Sequence, residues 1–180
     1  GLISNGTTIF DAGAIDSGVA KGAMTFIKKL TASSSATLDF LNGSSGVVFD
    51  TTYKEYVFMF KDIHPATDDV VLSFQADTGT NTSYNQTITS TNFAAQHGES
   101  GSPTELSDTG TDRRLAQQTI FQPLSGHNDL GNDNDQCLTG YLHMFSPANT
   151  TFVKHFLSDA YRHLYFIVYY LHKLISGRIG

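Results

Sequence analysis

The sequence predicts an all-β fold, on its composition, its residue periodicity and its turn chemistry. Charged residues make up only 16% of the chain, and the polar remainder is chiefly Ser, Thr, Asn and Gly. Those residues suit strands, turns and loops better than helices. The stretch Tyr53–Asp77 carries the periodicity. In its first run Tyr56, Phe58 and Phe60 share one face while Val57, Met59 and Ile63 share the other. A strand apolar on both faces is expected inside a sheet rather than at its edge. In the second run Val70, Leu72, Phe74 and Ala76 alternate with Val71, Ser73, Gln75 and Asp77, the pattern of a half-buried strand. Pro65 cannot donate to a ladder and Asp68 can close a turn, so the two runs read as a joined strand pair.

The remaining elements follow in order. Gly1–Gly22 is rich in glycine and small residues and keeps no period. Its apolar residues Ile3, Ile9, Phe10, Ile15 and Val19 are too sparse for a core of their own. Residues 1–22 are therefore expected to form an extended N-terminal arm that docks on a neighbour, and residues 23–180 the β-sandwich domain. Ala23–Thr31 and Ala36–Leu41 alternate as strands, Asn42-Gly43 turns the chain, and Gly46–Asp50 leads through a short strand into the central pair. After a loop at Asp77–Asn85, Gln86–Phe93 reads as a strand with Thr87, Thr89, Thr91 and Phe93 on one side. His97–Gln118 is a long polar loop, of the length that is usually functional or mobile. Thr119–Leu124 reads as a strand stopped by Pro123, and Cys137–Phe145 pairs with Thr151–Leu157 across a turn at Ser146–Asn149. In the tail, Leu164, Ile167, Val168, Leu171, Leu174 and Ile175 fit a helical stripe, although YFIVYY has the content of a strand. The stripe favours a helix.

Composition also bounds function. A length of 180 residues fits one domain with a real core. The formal net charge of −6, with Lys28-Lys29 and Arg113-Arg114 as the only adjacent basic pairs, argues against a phosphate-binding surface, so no nucleic-acid partner is expected. The apolar stretch Leu164–Ile175 is interrupted by His172 and Lys173 and is shorter than a membrane span, so no membrane insertion is expected. A single cysteine, Cys137, forms no internal disulfide, which leaves packing and oligomerisation to supply stability.

Few side chains cluster as chemistry requires. Asp129, Asn132, Asp133, Asn134 and Asp135 crowd oxygen ligands into one loop that suits Ca²⁺ or a glycan, but the ligand order of an EF-hand is missing and a solvated turn is the commoner outcome. Asp77–Asn81 is a weaker candidate of the same kind. His143 and His155 fall on neighbouring strands with Cys137 on the face of His143, yet no metal-ligand spacing accompanies them. Glu99, Glu105, Asp108 and Asp112 all sit in one loop, without a motif that pairs them for glycoside hydrolysis. No catalytic residue and no cofactor is expected.

Leu30–Asp50, LTASSSATLDFLNGSSGVVFD, and the stretch TYKEYVFMFKDIHPATD that follows it resemble a family of virion proteins from tailed phages of marine bacteria, cyanophages and pelagiphages. GLISNGTTIFDAG, YNQTITST, GNDNDQ and LHMFSPANTTFVKHF are similar to further blocks of that family, whereas the aromatic, His-rich Ser158–Gly180 departs from it. The resemblance implies a non-enzymatic structural component of the virion, a tail fibre, appendage or capsid decoration subunit, built as a jelly-roll-like β-sandwich. It implies a homo-oligomer such as a trimer, contacts with other virion proteins, and a host-surface glycan as the alternative partner.

Overall fold

A computed structural model of the chain describes residues 2–4, 7–11, 14–15, 24–79, 81–98, 100–102, 104–107, 114–126, 130–163 and 169–179. The fold is all-β, and every strand pair is antiparallel. The chain divides into two compact units, Gly1–Val48 and Phe49–Gly180.

In the first unit, β1 (Leu2–Ser4), β2 (Thr7–Asp11) and β3 (Ala14–Ile15) form a three-stranded sheet in chain order. The arm residues thus pair with one another, and Ile3 stays exposed. Residues 24–41 carry no strand. The strands expected at Ala23–Thr31, Ala36–Leu41 and Gly46–Asp50 are therefore corrected. Alternation supplies a surface for pairing, but a strand also needs a partner at the right edge.

The second unit is built on a six-stranded sheet. Its strands are β4 (Glu55–Ile63), β6 (Ile88–Gly98), β7 (Thr104–Ser107), β9 (Leu138–Phe145), β10 (Lys154–His163) and β11 (Tyr169–Ile179), in the order β4-β9-β10-β11-β6-β7. A two-stranded ribbon of β5 (Ser73–Phe74) and β8 (Gln122–Pro123) makes the second layer with the loops around it. The layers are unequal, six strands against two, where a jelly roll has two sheets of similar size.

Three expectations change here. Tyr53–Ile63 and Val70–Asp77 do not pair with each other: β4 binds β9, and β5 binds β8. β4 is an edge, not an interior strand. Its regular pairing ends at a bulge between Phe60 and Ile63, where Asp62 takes a φ of 50°, a common way to finish an edge. From Tyr169 the tail is strand β11, not a helix, and lies between β10 and β6, while Leu164, Ile167 and Val168 of the expected stripe lie outside the described residues.

Burial follows the strand period. Leu142, Met144, Phe156, Ile88 and Ile179 fill one face of the sheet, joined by Leu115 and Leu124 from the opposite layer, and Leu138 and Ala160 pack with Leu130 in a second cluster. The ring of Phe74 meets that of Phe156 edge-on at 4.9 Å between centroids, so the ribbon is clamped to the middle of the sheet. The loops are tied down by backbone groups: Leu124 N–H donates to Leu72 O, and Leu72 N–H to Ser125 Oγ. Two glycines make room in the layer. A Cβ at Gly140 would lie 2.3 Å from the carbonyl oxygen of Asp159, and one at Gly177 would lie 2.6 Å from the ring of Phe156.

Candidate functional site

The register of β4, β9 and β10 sets a second group of side chains on the sheet face opposite the core. Glu55, Phe145 and His155 align across the strands, then Val57, His143 and Leu157, then Met59, Tyr141 and Asp159. Further along, Asp159 lies in the row that ends at Phe93, and Tyr161 in the row that ends at Leu106. Aligned residues of neighbouring strands share a face, so this set forms one surface.

The surface is aromatic and largely uncovered. Met59 is 76% exposed, Leu106 67%, Tyr161 51% and Phe93 46%. Along β9 the rings form a ladder. Tyr141 and His143 meet edge-on at 5.0 Å, and His143 and Phe145 stack at 6.2 Å. His143 Nδ1 pairs with the carboxylate of Glu55. Asp159 Oδ2 accepts the hydroxyls of Tyr141 at 3.1 Å and Tyr161 at 3.4 Å. Those contacts hold protons on both tyrosines. The hydrogen bond to Asp159 raises Tyr141 above its ordinary pKa, and the charge of Asp159 does the same for Tyr161. Neither phenol is thereby prepared as a base or nucleophile, since both tasks need the proton lost more easily. What remains is a face of rings suited to stacking, with the half-exposed carboxylate of Glu55 at its edge and the buried carboxylate of Asp159 holding the two phenols in place.

The residues singled out from sequence are placed elsewhere. Asn132, Asp133, Asn134 and Asp135 are exposed, and Asp129 lies outside the described residues. Their loop is held as a turn. Asn132 N–H donates to Asp68 Oδ1, Asp133 O accepts from Gln136 N–H, and His64 Nε2 meets the same oxygen at 2.9 Å. Among the described residues no three His, Cys, Asp or Glu side chains converge as a metal site. Asp77 organises its own loop, accepting from the amides of Thr78 and Tyr84 and from Gln86 Nε2. Burial acts to raise its pKa, but these hydrogen bonds together hold it below the usual carboxylate value. His155 stands opposite Phe145 rather than His143. Glu105 accepts from Gln96; Glu99, Asp108 and Asp112 lie outside the described residues, as does Val19. For Ile9, Phe10 and Ile15 only the strands that hold them are described.

Tyr141, Asp159, Tyr161 and Glu55 were not legible as a group. The signal in the sequence is the aromatic half of the β9 alternation, Tyr141, His143 and Phe145, set against apolar Leu138, Leu142 and Met144 on the core face. No family model, curated protein or solved structure matches the chain.

Proposed function

We propose that the chain is a non-enzymatic structural subunit of a tailed-phage virion, a fibre, appendage or decoration protein, which assembles with further copies of itself. The observation that carries this reading is the uncovered sheet face with Met59, Phe93, Leu106 and Tyr161. Large apolar and aromatic side chains left exposed on several strands of one sheet face mark an interaction site more often than a free surface. The resemblance of Leu30–Asp50 and the blocks around it to phage virion proteins supports the virion as that assembly. In this reading the arm, residues 1–22, contacts other virion proteins. Light scattering on the purified full chain, with immunogold labelling of phage particles, tests the proposal. The expected result is a defined oligomer and label on the particle; a monomer at every concentration and unlabelled particles would reject it.

A second reading has its own support. The ladder Tyr141–His143–Phe145 with Tyr161 and the exposed carboxylate of Glu55 has the chemistry of a sugar platform, in which rings stack on C–H faces and a carboxylate accepts hydroxyls. In this reading the chain is a host-surface glycan-binding module at a fibre tip. A glycan array probed with the native protein and with Tyr161→Ala decides it, and binding that survives the substitution counts against this face.

A further inference from the structure

We propose that residues 24–29 add as an antiparallel strand to the β4 edge of a second copy of this chain, with Lys29 opposite Glu55. The inference rests on the self-associating reading above and names its contact. Met24-Thr25-Phe26-Ile27-Lys28-Lys29 alternates as a strand does. In the structure it belongs to no sheet, and among the described residues 24–39 make no backbone–backbone hydrogen bond. Met24 is 71% exposed and Phe26 80%. A large aromatic at that exposure, on backbone without a ladder, is the donor half of strand addition.

The acceptor half is in the same chain. β4 has β9 on one side and no strand on the other among the described residues. The regular part of that edge runs from Glu55 to Phe60, six residues before the bulge. Edges this long are usually blunted, and here the bulge blunts only the far end.

The two segments match residue by residue. With Lys29 opposite Glu55, Ile27 faces Val57 and Thr25 faces Met59 on the outer side of the sheet. On the core side Phe26 faces Phe58 and Met24 faces Phe60. Lys28 falls beside Tyr56, whose ring is already buried against Phe49 and Tyr53, so its long stem carries the ammonium out to water. Apolar, aromatic and opposite-charge pairs therefore all coincide in one register. A slip of one residue turns Phe26 to the outer side and sets Thr25 against Phe58, so the register is specified. Each chain carries both halves, which permits either a reciprocal pair or a closed ring.

The test uses the full chain with Cys137→Ser to remove the native thiol. Ile27→Cys protein is mixed with separate Val57→Cys protein and oxidised with diamide, so that any bond must join two chains. Opposed antiparallel residues lie close enough for a disulfide. The expected result is a cross-linked dimer, formed much more slowly when Met59→Cys replaces Val57→Cys. A chain carrying both Ile27→Cys and Val57→Cys that links only within itself would overturn the proposal. So would an oligomer by light scattering that gives no cross-link, although self-association would then stand; a monomer at every concentration removes both. Should a cysteine variant not fold, charge exchange keeps the question open to test. Lys29→Glu or Glu55→Lys alone is expected to weaken assembly about two- to fivefold, and the two together to restore it. Assembly unchanged by either single substitution overturns the pairing.

Discussion

Residues 24–41 and residues 138–163 have the same kind of sequence and opposite outcomes. Both alternate apolar and polar side chains over short runs, and both contain a turn-rich break. The second region becomes β9 and β10, paired over eight residues, with Phe156 2% exposed. The first joins no sheet and bends at Ser33-Ser34, with Phe26 80% exposed. The difference lies in what each region meets. Between β4 and β10, β9 is paired along both edges, whereas residues 24–41 belong to none of the described sheets. Strand propensity is thus a capacity that the rest of the fold either uses or leaves open.

The sharpest way to probe that contrast is Phe156→Ala. It removes a ring packed on Phe74 and Gly177, and we predict a loss of about 4 kcal/mol in urea unfolding. Gly140→Ala comes next. Its new methyl meets backbone on β10, which cannot rotate away, and a loss of about 2 kcal/mol is expected from the forced shift. A smaller effect depends on pH. Because Asp77 is held below the usual carboxylate value, its contribution is complete above the unfolded value of about 3.9 and is lost as pH falls through the folded one. Thermal melts of native protein should therefore fall more steeply on acidification than those of Asp77→Asn. The smallest effect belongs to the other region. Phe26→Ser, compared with native protein at a dilution where neither assembles, should alter stability by no more than about 0.5 kcal/mol. A large loss there would mean that residues 24–41 are packed as firmly as β9, and the comparison would collapse.

Strands whose two faces differ were the most legible. Cys137–Phe145 was read almost to the residue as β9, and Gln86–Phe93 found the first half of β6. The tail is ambiguous because β11 has apolar residues at both parities, so Leu171, Leu174 and Ile175 fall on a helical stripe as easily as on a strand. Periodicity does not separate a short apolar strand from a helix. β4 was found but assigned the wrong neighbour. Its partner β9 lies far along the chain, with Glu55 and His143 separated by 88 positions, and local pattern carries no information about such distant pairing. The aromatic face was hidden for the same reason. Tyr141, Asp159 and Tyr161 become one group only through the β9–β10 register, and Met59 and Phe93 join them only through the strand order. The Asn/Asp loop misled in the other direction: its side chains and backbone serve a turn at Asn132–Gln136.

The strand order has a consequence for how the protein is made. β4 and β6 leave the ribosome early, yet they do not touch in the sheet; β9, β10 and β11, synthesised last of the described strands, are inserted between them. An unfinished chain therefore holds two separate pieces of sheet with open edges, and no local hairpin can join them. Productive folding waits for β11, the strand that closes β10 onto β6, and such long-range closure is slow. Chains cut short before β11 keep exposed edges and are prey to aggregation or proteolysis. The topology acts as a check on completeness, because only a chain translated through β11 can present a finished sheet.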